Sequence, residues 1–194
     1  MSPTDLPHSG TTAFGHTHRS GWDLRTFAQL GGGHAAQAAP LRAALLIARG
    51  SSGVLLVVLL LAAWSTAAPM ATATLTLLLA GVTQYAGKRL ARRHGAPRPF
   101  HLGLSPNHLQ QGARGGWPSS HALSMACVCG ALWVAAGPGV LLAAAALLTL
   151  ATGWARVYAG AHFPSDVLAG WGLGLLAGTL GMALSPTWLW MAGA

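Results

Sequence analysis

The sequence predicts an all-α protein, an integral membrane helical bundle of about five transmembrane helices preceded by an amphipathic N-terminal segment. Three observations carry that expectation. Hydrophobic residues make up 53% of the 194 and charged residues only 7%, against roughly 25% charged in an ordinary soluble domain. Such a chain has too few polar groups to cover a water-facing surface. Residues 51–87, 115–155 and 167–194 carry no Asp, Glu, Lys or Arg, and each stretch exceeds the roughly 20 apolar residues a helical span requires. Trp64, Trp117, Trp154, Trp188 and Trp190 fall near the ends of those stretches, where amphipathic rings favour the membrane interface.

Taken in order, residues 1–24 are polar, contain His8, His16 and His18, and lack the apolar run of a signal peptide. They read as a disordered polar tail. Residues 25–50 mix Phe27, Leu30, Leu41, Leu45, Leu46 and Ile47 with Arg25, Arg42 and Arg49 around a Gly31-Gly32-Gly33 break. That pattern suits an amphipathic segment lying in the interface. Residues 51–194 then form one domain. The first uncharged stretch holds two short spans with a turn near Ala68-Pro69, and the second divides at Gly137-Pro138-Gly139, a turn-forming cluster. The third supplies one span over about 164–184, in which Gly170, Gly172, Gly174 and Gly178 include small-xxx-small spacings that permit close helix packing.

The charges exclude several chemistries. There is no glutamate, and Asp5, Asp23 and Asp166 are the three acids, so beyond residue 23 a single carboxylate remains. One carboxylate cannot serve a two-carboxylate glycosidase or build a calcium or magnesium cage. The net charge of +8 is carried by few residues in an oily chain, which points to anionic head groups or an anionic substrate and not to nucleic acid. Cys127 and Cys129, two apart on an apolar helix, point away from each other and read as small apolar fillers.

Ionisable residues at membrane depth are functional candidates, and here they form three clusters. Lys88, Arg89, Arg92, Arg93 and Arg98 end the second span; Pro118-Ser119-Ser120-His121 opens the third; Arg156, His162 and Asp166 lie between the fourth and fifth. With five spans, all three clusters fall on one side of the membrane. Arg98 and Arg156 can fork onto phosphate oxygens. Pro118-Ser119-Ser120 starts a helix whose free N–H groups suit an anion, with Ser119 either capping that helix or bonding phosphate through its hydroxyl. Asp166 can accept from one nitrogen of His162 and leave the other free to attack, while His121 is placed to protonate a leaving oxygen. The chemistry these residues suit is a metal-free phosphoryl transfer through a phosphohistidine.

The pattern resembles the type 2 phosphatidic acid phosphatase (PAP2) family, whose signatures run Lys-x6-Arg-Pro, Pro-Ser-Gly-His and Ser-Arg-x5-His-x3-Asp. The resemblance covers about residues 85–180. Arg156, His162 and Asp166 match the third signature, with Ala155 in place of serine, and Pro118, Ser119 and His121 match the second, with Ser120 in place of glycine. In the first, Arg98-Pro99 is present but the lysine position holds Ala91. Lys88, one turn earlier on the same face, is the preferred substitute over Arg92. The resemblance implies His162 as nucleophile, Asp166 as its orienter, His121 as general acid, and Arg98, Arg156, Ser119, Ser120 and Lys88 around the phosphate. It implies a lipid or isoprenoid phosphate substrate and no metal or other cofactor. The short chain looks most like undecaprenyl-pyrophosphate phosphatases of the bacitracin-resistance type. Bacterial members of the family act on the periplasmic face of the inner membrane, whereas the basic residues cluster at the site end, which the positive-inside rule assigns to the cytoplasm.

Other readings are a non-catalytic lipid-phosphate-binding protein of the same fold, a vanadate-dependent haloperoxidase, which shares the constellation but is soluble, and a transporter, whose sites lie at mid-membrane. The sequence sets no oligomeric state.

Overall fold

The computed structural model describes residues 19–186, and the described residues contain helices and turns without strand. Six α-helices follow in order: α1 (Gly21–Leu30), α2 (Ala38–Trp64), α3 (Pro69–His94), α4 (Ser120–Ala136), α5 (Val140–Tyr158) and α6 (Pro164–Ala183). Short 3₁₀ turns occupy Gly33–Ala35 and Pro99–Leu102. Three helices, α2, α5 and α6, are long and apolar enough to cross a membrane, while α4 is apolar but shorter, at 17 residues. The protein is a membrane helical bundle, with leucines and valines such as Leu46, Val57, Leu61, Leu78 and Leu176 turned outward.

Local sequence explains the boundaries. Pro69 and Pro164 open α3 and α6, positions where a missing N–H costs nothing. Gly95, at φ 65°, ends α3 in the left-handed conformation that glycine adopts freely.

The N-terminal expectation changes in two ways. The amphipathic segment foreseen over 25–50 is divided, because residues 38–50 are the first half of α2. The reason is a buried stripe, Ala44, Ala48, Ser51, Leu55, Leu59 and Ala62, that keeps helical spacing straight through the expected boundary. Pro40 does not interrupt it, since it falls in the first turn. Of the polar tail foreseen over 1–24, residues 1–18 lie outside the described residues, with His8, His16 and His18. Residues 21–24 belong to α1, and Ser20 caps that helix by accepting from Asp23 N at 3.2 Å.

The centre of the bundle is the α4–α6 seam. Side chains added at Gly170, Gly174 and Gly178 would strike the Ser119, Leu123 and Cys127 carbonyls, and one at Gly130 would strike the Leu175 carbonyl. Gly172 faces open space. The two backbones touch because glycine recurs every fourth residue on the facing side. Cys127 and Cys129 are free and buried within α4, as expected of fillers. The seam positions the chemistry, since Ser119 N donates to the Asp166 carbonyl at 2.9 Å.

Candidate functional site

The ends of α3 and α5 and the starts of α4 and α6 meet at one end of the bundle. Between them lies a cavity of about 150 Å³ lined by Lys88, Ala91, Arg98, Gln111, Arg114, Gly115, Pro118, Ser120, His121 and His162. All three clusters read from the sequence reach it or its wall. Arg156, Asp166 and Ser119, each at most 3% exposed, are the buried residues of that wall's helix ends.

His162 sits in the loop between α5 and α6. Its Nδ1 lies 3.0 Å from the Gly116 carbonyl and 3.5 Å from Asp166 Oδ2, and its Nε2 lies 3.2 Å from Arg98 Nη1. A guanidinium can only donate, so Nε2 carries the lone pair and Nδ1 carries the proton, donated to Gly116 O. The orienting bond expected from Asp166 is therefore shared, with the Gly116 carbonyl the nearer partner. Asp166 is also the first-turn acid of α6, and its Oδ2 accepts from Phe163 N at 3.0 Å. Burial lowers the His162 pKa to about 4, with the Arg98 and Arg156 charges acting in the same direction and the hydrogen bond and charge of Asp166 opposing them. The ring is neutral at pH 7, the form a nucleophile needs.

Arg98 follows the end of α3 in an extended segment. Its Nε donates to Arg114 O (3.0 Å), Nη1 to Ala161 O (3.0 Å) and Nη2 to Gly115 O (3.2 Å). The guanidinium expected to fork onto phosphate is thus held by three carbonyls and His162, and it meets an anion only by exchanging some of these. Burial is the main cause that lowers its pKa to about 10, which leaves it charged at neutral pH.

Of the five buried side-chain polar atoms without a hydrogen-bond partner among the described residues, two belong to the residues of this site, Arg156 Nε and Ser119 Oγ. Ser119 is the N-cap of α4 by position, but its side chain makes no capping bond. Of the two roles open from sequence, the cap is not the one adopted. Buried polar groups are normally paired, and a cation and a hydroxyl left over together suit an incoming oxyanion. Lys88 lines the cavity with Ala91, while Arg92 is exposed and outside the lining, which favours Lys88 as the substitute cation. A side chain added at Gly115 would strike the Ala91 carbonyl, so that wall position takes only glycine.

Sequence reasoning missed Gly116, Arg19 and Asp23. A methyl group on Gly116 would lie 2.7 Å from Asp166 Oδ2 and 3.1 Å from Arg98 Cγ, so only glycine lets that carbonyl reach His162. Arg19 binds Asp166 directly, at 2.8 Å from Nη1 to Oδ1. The pair Arg19/Asp23, four residues apart and including one of the three acids, was the available signal. Among the described residues no group of three metal-binding side chains occurs.

A family model for the PAP2 superfamily matches residues 69–190, well over half the chain. The chain belongs to the PAP2 superfamily. Over 100 residues it is 35% identical to YbjG of Escherichia coli (strain K12), which carries a provisional assignment as an undecaprenyl-diphosphatase. That alignment covers 49% of this chain and 45% of YbjG, so the chain spans less than half the length of that relative. Its fold is also similar to a transmembrane PAP2 type phosphatidylglycerolphosphate phosphatase from Bacillus subtilis, with a TM-score of 0.53 and 23% identity over 84% of this chain and 76% of the other. This PAP2 chain is thus similar in fold to a membrane protein of the superfamily and similar in sequence, across 49% of its length, to another relative.

Proposed function

We propose that the protein is a membrane phosphatase that hydrolyses a lipid phosphate or pyrophosphate, of the phosphatidic acid, phosphatidylglycerol phosphate or undecaprenyl pyrophosphate type, through a phosphohistidine. The observation that carries the reading is the neutral His162, whose Nε2 lone pair is held at the wall of a cavity lined by Lys88, Arg98 and Arg114.

In this reading Nε2 attacks phosphorus, and the bond from phosphorus to the leaving oxygen breaks. That oxygen takes its proton from His121, whose charged form an incoming phosphate favours. The Nδ1–H remains on Gly116 O and Asp166, which stabilise the developing positive ring. Arg98, Arg156, Lys88, Ser119, Ser120 and the first N–H groups of α4 bind the phosphoryl oxygens. Water then attacks the phosphohistidine, His121 takes its proton, and inorganic phosphate leaves. No step calls for a metal.

The apolar flanks of the bundle suit a lipid tail. We place the protein in a bacterial inner membrane with the site on the periplasmic face. The positive-inside rule pulls the other way, but Arg98 and Arg156 are buried in the site and Arg19 is paired with acids. Labelling of a single cysteine introduced at exposed Arg93 by a membrane-impermeant reagent decides the orientation.

The test is phosphate release from the three lipids by purified protein. His162→Ala is expected to cut turnover by about 10⁴. Full activity in that variant overturns the reading. Tight lipid binding without release by the unsubstituted protein favours the non-catalytic alternative.

A further inference from the structure

On the side away from His162, Asp166 is enclosed by residues that do not line the cavity. Arg19 forks onto it, Nη1 to Oδ1 at 2.8 Å and Nη2 to Oδ2 at 3.2 Å. The same guanidinium donates from Nε and Nη2 to Pro97 O, at 2.9 and 2.7 Å, immediately before Arg98. It lies 4.4 Å over the Phe163 ring and 3.3 Å from Asp23 Oδ2. Asp23, itself 3% exposed, accepts from Ser165 N at 3.1 Å and from Ser165 Oγ at 2.6 Å.

An exposed i,i+4 ion pair is usually worth little. This one is different in kind, because both side chains are buried, at 7% and 5% exposure, and the arginine also forks onto a carboxylate 147 residues away. Apolar contacts also dock α1. Phe27 already stacks edge-on against Phe163, with centroids 5.4 Å apart, in a cluster with Val157 and Val167. What Arg19 adds is a counter-charge for a carboxylate with no exposed surface, a group that is costly to bury unpaired.

We propose that Arg19 is a positioning residue, tying the Asp166 carboxylate to the Pro97–Arg98 segment and setting the net charge that His162 faces. The inference rests on the reading of His162 as nucleophile. Without Arg19, the full Asp166 charge acts on the Nδ1 side of His162, and the imidazolium is favoured over the neutral ring. The other charged or titratable groups around His162 are Arg98 from the segment after α3, Arg156 from α5 and His121 from α4; the substitution replaces none of them, and of the three only Arg98 adjoins a group that Arg19 binds, the Pro97 carbonyl.

The experiment is an NMR titration of ¹⁵N-histidine in the full-length protein in detergent, with the His162 signal assigned by its loss in His162→Ala. Arg19→Ala should raise the proton affinity of His162 about tenfold, one pH unit, and, because the carboxylate that orients the ring is no longer held in place, lower kcat about tenfold with KM within about twofold. Arg19→Lys, which keeps the charge but loses the fork, should recover part of both. In an Asp166→Asn background, Arg19→Ala should change neither further. Phe27→Ala, which loosens α1 and leaves Arg19 intact, should leave the titration unmoved. An unmoved titration in Arg19→Ala overturns the proposal, as does a matching shift in Phe27→Ala. Inactivity of the unsubstituted protein on all three lipids overturns the phosphatase reading instead, and the titration still decides whether Arg19 acts on His162.

Discussion

The two sides of the His162–Asp166 pair are built from the same residue types and finished differently. On the side of the N-terminal arm, Arg19, Asp23 and Ser165 spend their polar atoms on one another and on Asp166. On the cavity side, Arg156 Nε and Ser119 Oγ have no partner among the described residues, and Lys88 Nζ has a single long bond to Gln84 at 3.4 Å. A saturated buried network rigidifies, whereas an unsaturated one is costly until something binds it. The arm is scaffold, and the cavity wall is where an anion belongs.

Substitutions that act differently on the two sides test this division. Asp166→Asn touches both and should have the largest effect. It removes the charge that Arg19 binds and that steadies the His162 ring, and turnover should fall by about 10²–10³, measured as phosphate release at saturating lipid. The loss should be smaller than the roughly 10⁴ seen where a single carboxylate alone fixes a catalytic histidine, because Gly116 O holds the same proton at 3.0 Å.

A pair of serines gives the sharper contrast. Ser119→Ala should lower kcat/KM about tenfold while the melting temperature stays within about 1 °C. Ser119 has no capping bond to lose, so the usual cap penalty of about 1 kcal/mol should not appear. Ser165→Ala should do the reverse, with activity within about twofold and stability lower by about 1 kcal/mol for the lost bond to Asp23. Similar behaviour of the two serines would erase the distinction.

The last effect is in acid. The His162 pKa is lowered from 6.5 to about 4, so the unfolded chain binds a proton across that window that the folded chain refuses, and stability falls as pH drops from 6.5 towards 4. A melting series in detergent should show the decline, and His162→Ala should make it shallower. Protonation of His162 itself should not limit kcat/KM until pH approaches 4.

Much of this was legible in the sequence, for identifiable reasons. The turns at Ala68-Pro69 and Gly137-Pro138-Gly139 were readable because proline and glycine act locally. Arg98, His121, Arg156, His162 and Asp166 were readable because ionisable groups are conspicuous in apolar surroundings. The course of residues 38–50 was not, because Arg42 and Arg49 sit on the exposed side of a helix whose buried stripe in that part is Ala44 and Ala48 and carries little hydrophobic signal. Gly116 was hidden because its contribution is a carbonyl and a missing Cβ, neither of which a side-chain pattern encodes. Arg19 was hidden because its partner lies 147 residues on, a contact that only the folded bundle creates.

One row of residues has a further meaning. His162, Asp166, Gly170, Gly174 and Gly178 are spaced by four throughout, and in α6 positions four apart share one face. The stripe that seats α6 against α4 is therefore continuous with the one that carries the acid and, one step before the helix, the histidine. Chemistry and packing share a single reading frame here. Inserting one residue between Asp166 and Gly170 would turn everything beyond it by about 100°, swinging the glycines out of the seam while the carboxylate stayed behind. The frame of α6 is thus a constraint on length as strict as any constraint on residue type.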